Sequence, residues 1–134
     1  MVTHLLDTSV YSQRLRRQPE SEVIRRWSAL GDSKLAISTI CEAELLFGLE
    51  KKNSQRLWAE YDDFLKHKLI VLPLDRKSVE TYARLKAELQ RSGVNIGEFD
   101  LLIGATALAN GLKLTTLNTK HFSKIPGLIV EDWS

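Results

Sequence analysis

Apolar positions along the chain fall into two kinds of run. Short, nearly unbroken ones at His4 to Leu6, Leu35 to Ile37, Leu69 to Leu72 and Leu112 to Leu117 read as strands, and Leu128 to Val130 is a candidate fifth. Longer stretches with helical spacing separate them. Strands that alternate with helices need crossover connections, so the pattern predicts an α/β fold with a mostly parallel sheet of four or five strands and helices on both faces. No repeat, low-complexity tract or linker rich in Gly, Pro or Ser interrupts it, so residues 1–134 are expected to form a single domain.

Side chains place some helix ends. Thr39 with Glu42 three residues later has the form of a capping box, which predicts a helix starting near Ile40. Asn110 and Gly111 supply a left-handed stop after the run Leu101 to Ala109. That run is apolar nearly all round, so its helix belongs inside the domain or at a subunit interface, with Gly104, Ala105 and Ala107 allowing close backbone approach.

Composition narrows the class. With 134 residues, 43% hydrophobic and 27% charged, the chain has the balance of a compact globular protein. No apolar run approaches the roughly 20 residues of a membrane span. One cysteine and no signal-like start predict a reducing, cytoplasmic setting without disulfides or a multi-cysteine zinc module. The net charge of +2 permits polyanion binding without requiring it. Arg14, Arg16 and Arg17, then Arg25 and Arg26, then Lys51 and Lys52 form basic clusters, which read first as solvated helix surface and second as a phosphate-binding rim. Trp27, Trp58, Tyr61 and Phe64 read first as core and second as partner anchors.

The candidate chemistry lies in acids at element ends. Asp7 follows the first strand at the carboxyl edge of the expected sheet, where such folds place ligands; capping the next helix is its other possible role. Glu42 and Glu44 are about 200° apart around one helix, so they cannot share a cleft. With Glu42 assigned to the capping box, Glu44 is the candidate, the alternative being a solvated acid paired with Lys51 or Lys52. Asp100 opens the apolar helix, where the macrodipole alone could account for it. Three carboxylates share a cleft at low cost only if a divalent cation neutralises them, and oxygen-only ligands suit Mg²⁺ or Mn²⁺. His4 and His67 lack acidic company at ligand spacing and read as structural. His121 has a minor claim as a general base. Thr8 and Thr116 stand beside the acids, placed to orient water or a phosphate oxygen.

Four segments in order then carry a resemblance. Leu5-Leu6-Asp7-Thr8-Ser9 opens the chain, Ile37-Ser38-Thr39-Ile40 leads into Ala43-Glu44-Leu45-Leu46-Phe47-Gly48, and Phe99-Asp100-Leu101-Leu102-Ile103-Gly104-Ala105-Thr106-Ala107 follows. Thr116-Leu117-Asn118-Thr119-Lys120-His121-Phe122 and the tail Glu131-Asp132-Trp133 close it. The chain resembles the PIN-domain ribonucleases, specifically the VapC-like toxins of type II toxin–antitoxin pairs. The resemblance implies a three-layer α/β/α sandwich. It further implies an endoribonuclease in which Asp7, Glu44 and Asp100 hold Mg²⁺ or Mn²⁺ and Asn118 stands at the fourth catalytic position.

Two positions depart from the pattern. Asn118 replaces an acid common in relatives and adds no charge, and Ser9 stands where relatives usually carry Asn. The implied reaction is hydrolysis of an RNA phosphodiester by a metal-activated water, leaving 5′-phosphate and 3′-hydroxyl ends, with a structured RNA such as tRNA as substrate. Thr8, Ser9 and Thr116 would orient water or substrate, and Arg14, Arg16, Arg17 and Lys120 would contact phosphates. The implied partners are a VapB-like antitoxin, which blocks the cleft, and a second copy of the chain. Two rivals remain at this stage: a PIN-fold binding protein without turnover, and a receiver-type signalling domain, which would want an adjacent acid pair where Thr8 follows Asp7.

Overall fold

The computed structural model describes residues 1–134. Five strands form one sheet: β1 (His4–Leu6), β2 (Leu35–Ser38), β3 (Ile70–Leu72), β4 (Lys113–Thr116) and β5 (Val130–Asp132). Every pairing is parallel and the order across the sheet is β3-β2-β1-β4-β5. The chain builds outward from β1 to β3 on one side, then crosses to β4 and β5 on the other. The direction therefore reverses between β1 and β4, which puts a switch-point crevice at their carboxyl ends.

Helices flank the sheet: α1 (Thr8–Tyr11), α2 (Ser21–Leu30), α3 (Thr39–Lys52), α4 (Gln55–Phe64), α5 (Arg76–Arg91), α6 (Glu98–Ala109) and α7 (Thr119–Phe122). None is long and apolar enough to cross a membrane. All of β1 and β2 is buried, as expected of parallel strands covered on both faces. Leu5, Leu6, Leu35, Ile37 and Leu114 from the sheet join Val10, Trp27, Leu101, Ile103, Phe122 and Trp133 in one core.

The α/β class and the five strand positions agree with the sequence pattern, and the boundaries shift for local reasons. β5 starts at Val130 because Leu128 is still in a turn, its N–H reaching Ile125 O at 3.4 Å beside Gly127 at φ +81°. Helix α6 runs from Glu98, which puts Asp100 in its first turn as expected, and ends at Ala109 as expected. Gly111 alone takes the left-handed conformation (φ +65°), and the amides of Gly111 and Leu112 reach Leu108 O and Ala107 O at 3.1 and 2.9 Å, a Schellman stop. Helix α6 is central: the Ile125 side chain packs directly over Gly104, where an added Cβ would make the Ile125 Cδ1 methyl move aside.

The expected capping box is not formed. Ser38 caps α3, its Oγ accepting from Cys41 N at 3.0 Å, and Thr39 is already helical. Strand β2 runs through Ser38, paired with Leu72, which leaves that residue in the extended conformation a cap requires. Trp27 and Tyr61 are core, as their first reading had it, whereas Phe64 is half exposed. His4 does have an acidic partner, Glu131 of β5, at 3.1 Å from Nε2. Spacing along the chain could not reveal it, because the two lie 127 residues apart.

Candidate active site

Asp7 leaves β1 at the switch point with 3% of its surface exposed. It does both things the sequence allowed. Its Oδ1 caps α1 by accepting from Val10 N at 3.0 Å, and the carboxylate faces β4. Two hydroxyls hold it there: Ser9 donates to Oδ1 at 2.7 Å and Thr116 to Oδ2 at 2.5 Å. Each hydroxyl in turn accepts a backbone amide from the segment after β4, Leu117 N to Ser9 at 3.0 Å and Asn118 N to Thr116 at 2.8 Å. Two short relays therefore lock the exits of β1 and β4 together, each bond polarising the next. Burial pushes the Asp7 carboxyl above its ordinary range, the bonds from Thr116, Ser9 and Val10 oppose that rise, and the nearby charge of Asp100 adds to it.

Glu44 lies half-buried on α3 and accepts from Thr8 Oγ1 at 2.6 Å, across a loop from Asp7. Glu42 points elsewhere. Its charge helps, after burial, to raise the hydroxyl pKa of both Tyr11 and Tyr61, so the two glutamates diverge as helical geometry demands. Asp100, in the first turn of α6, has its Oδ2 3.0 Å from Nδ1 of His121 on α7. This contact gives His121 a place at the site that its surface position between Lys120 and Phe122 did not announce. Asn118 is exposed: its backbone amide donates to Thr116 Oγ1 and its carbonyl accepts from His121 N at 3.1 Å, while its side chain makes no hydrogen bond.

Asp7, Glu44 and Asp100 do not close into a group of three or more side chains able to hold a metal ion. Each carboxylate is engaged by its own donor, Thr116 and Ser9 for Asp7, Thr8 for Glu44 and His121 for Asp100, which separates like charges at little cost. The donor chemistry nevertheless fits a hard dication. All three side chains offer oxygen, and Asp7 Oδ2 accepts one bond and so keeps a lone pair. Burial and the charge of Asp100 both disfavour the ionised Asp7, and a cation would offset both.

The basic candidates separate. Arg16 and Arg17 line a groove that also contains Thr8 and Glu44. Arg14 is instead packed over the Trp27 ring at 4.2 Å, a cation–π contact between α2 and the 3₁₀ turn Ser12–Leu15. Lys120 is exposed beside His121 on α7.

Comparison with known proteins agrees with this architecture. Residues 4–128 match the family described as PIN domain. Ribonuclease VapC2 of Rickettsia felis is 34% identical over 131 residues, which is 97% of each chain. The tRNA(fMet)-specific endonuclease VapC of Salmonella typhimurium is 34% identical over 134 residues, 99% of each chain. Among solved structures, VapBC2 from Rickettsia felis, bound to a DNA fragment from its promoter, superposes with a TM-score of 0.88 at 32% identity. That match covers 99% of this chain and 100% of the other. A receiver-type domain is thereby set aside.

Proposed function

This chain belongs to the PIN-domain family, alongside its VapC ribonucleases, and from that premise we propose that it is an endoribonuclease toxin neutralised by a VapB-like antitoxin. The relatives named for tRNA(fMet) cleavage support a structured RNA, specifically tRNA, as substrate. The solved relative is a VapBC complex on promoter DNA, which supports an assembly with an antitoxin here; a second copy of this chain is part of the same proposal.

In this reading Asp7, Glu44 and Asp100 would hold Mg²⁺ or Mn²⁺. The bound cation supplies Lewis acidity toward a phosphodiester and the attacking water. The chain's own residues do the positioning. Thr116 and Ser9 pin the Asp7 carboxylate so that one lone pair of Oδ2 is available, and Thr8 sets the direction of Glu44. His121 steadies Asp100, while the side-chain carboxamide of Asn118, with no hydrogen bond in the protein, is available to orient a water or a phosphoryl oxygen. The observation that carries the proposal is the buried Asp7 at the β1–β4 switch point, held by two hydroxyl relays within electrostatic reach of Asp100.

Purified protein incubated with total tRNA and Mg²⁺ or Mn²⁺ should cleave it, leaving 5′-phosphate ends. Chelator should abolish cleavage, and Asp7→Asn should lower the rate by about a thousandfold or more, as for loss of a principal charge-stabilising group. Cleavage that survives both would overturn the assignment, and RNA binding without cleavage would identify a PIN-fold binding protein instead.

A further inference from the structure

The amino edge of the sheet, opposite the acids, holds a cavity of about 600 Å³ that the proposed reaction does not use, a size within the range of small-molecule sites. Its apolar wall is gathered from distant parts of the chain. Leu30 ends α2, Leu108 and Leu112 bracket the stop of α6, and Val2 and Ile129 lead into β1 and β5. Four of these side chains are half-buried, and Ile129 is 61% exposed. Aliphatic surface is therefore left facing water inside a concavity, where replacing that water with an aliphatic ligand is favourable.

The polar lining carries one sign of charge. Lys34 and Lys113 stand on either side of Thr3, whose N–H donates to Lys34 O at 2.9 Å and whose carbonyl accepts from Lys113 N at 3.2 Å. Two strand spacings, about 10 Å, therefore separate the two lysine backbones. No Asp or Glu lines the cavity. Lys34 is exposed and takes part in no ion pair. Lys113 meets Glu131 at 3.7 Å, but His4 Nε2 and Trp133 Nε1 already hold that carboxylate, each at 3.1 Å. An ion pair of that length and exposure contributes little, so Lys113 can turn to another anion. Thr3 Oγ1 and His4 Nδ1 share a hydrogen bond at 2.6 Å, which leaves the two lysines as the lining's unsatisfied polar side chains.

We infer that this cavity binds an amphipathic anion, a small molecule with an aliphatic body packed on Leu30, Leu112 and Ile129 and an acidic head held by Lys34 and Lys113. The charge pattern selects that class. A neutral apolar ligand would leave both lysines unpartnered, and a cationic head would be repelled. A second copy seated here by two-fold symmetry would bring the same two lysines against their own counterparts, so like charges would oppose the contact. His4 and Lys113 begin β1 and β4, and Asp7 and Thr116 lie three residues further along each strand, about 10 Å away. The cavity is thus separate from the acids, and the inference does not depend on the endoribonuclease reading.

The test displaces the fluorescent sulfonate 8-anilinonaphthalene-1-sulfonate from the full chain with amphiphiles of one chain length. Decanoate and decyl phosphate should displace it, the lower effective concentration naming the preferred head, and decyltrimethylammonium should need roughly ten times more or beyond. Lys34→Gln and Lys113→Gln should each weaken decanoate binding by about two- to fivefold, the scale of an exposed ion pair. Ile129→Asp, at an exposed position, should keep the parent's melting temperature and weaken decanoate binding by about tenfold or more. Arg84→Gln, on the exposed surface of α5, should change nothing. Equal displacement by the cationic amphiphile, or decanoate affinity unchanged when both lysines are replaced, would overturn the inference. So would a dimer in sedimentation velocity that Ile129→Asp dissociates, which would assign the face to a second copy. Cleavage of tRNA, followed in the same proteins, tests the enzyme reading separately and should be unaffected by all of these substitutions.

Discussion

Asp7 carries two duties that pull in opposite directions. As the α1 cap it needs only an acceptor, which Asn supplies equally well; as a proposed cation ligand it needs a charge kept 97% out of water. Burial, aided by Asp100, raises its folded pKa above the ordinary 3.8, so the folded protein holds the proton more tightly than the unfolded chain does. Stability from this group is therefore present below 3.8 and is lost as pH rises through the raised value, leaving neutral pH on the less stable side. Asp7→Asn should accordingly be more stable than the parent by about 1 kcal/mol at neutral pH while losing turnover. The gap should close as pH falls toward 3.8. Denaturant titrations of both proteins across pH check this, and a less stable variant at neutral pH would show that the charge itself supports the fold.

At the scale of elements, α3 shows how one residue of register matters. Because β2 pairs through Ser38, the cap falls on Ser38 and the helix begins at Thr39. Ser38→Ala should cost about 1 kcal/mol and Thr39→Ala much less, whereas a true capping box would reverse that order. Thermal unfolding of the two variants separates the cases. The same helix carries Glu44 toward Thr8, so Ser38→Ala should also lower the cleavage rate by loosening the first turns that aim it. The roughly 200° between Glu42 and Glu44 was legible, whereas the capping duty assigned to Glu42 was not met, since Ser38 caps the helix.

The whole molecule is closed by its last strand. Trp133 is fully buried, donates from its backbone to Thr116 O at 3.1 Å and from its ring to Glu131 Oε1 at 3.1 Å, and lies tilted against His4. Glu131 also meets His4 of β1, two strands away, and Lys113 of β4. Burial works against ionisation of Glu131, yet the Trp133 bond and the His4 and Lys113 charges hold its carboxyl below the usual range. Trp133→Ala should therefore cost about 3–5 kcal/mol, seen as a large drop in melting temperature. Trp133→Phe, which keeps most of the apolar volume, should cost less. Equal losses would mean that the ring N–H bond to Glu131, rather than packing, is what the strand relies on.

Local features were legible along the chain because their causes are local: unbroken apolar runs for buried strands, a left-handed Gly111 to stop α6, and acids stationed where strands and helices end. The contacts that aim those acids were not, since Thr116 reaches Asp7 across 109 residues and His121 reaches Asp100 across 21. The same holds for the groove shared by Arg16, Arg17, Lys52 and Arg56, and for the separate donors that hold each of the three carboxylates. Residue type sets what a side chain can do within a turn or two of backbone. Which distant donor reaches it first is decided only when the sheet assembles and brings the exits of β1 and β4 side by side.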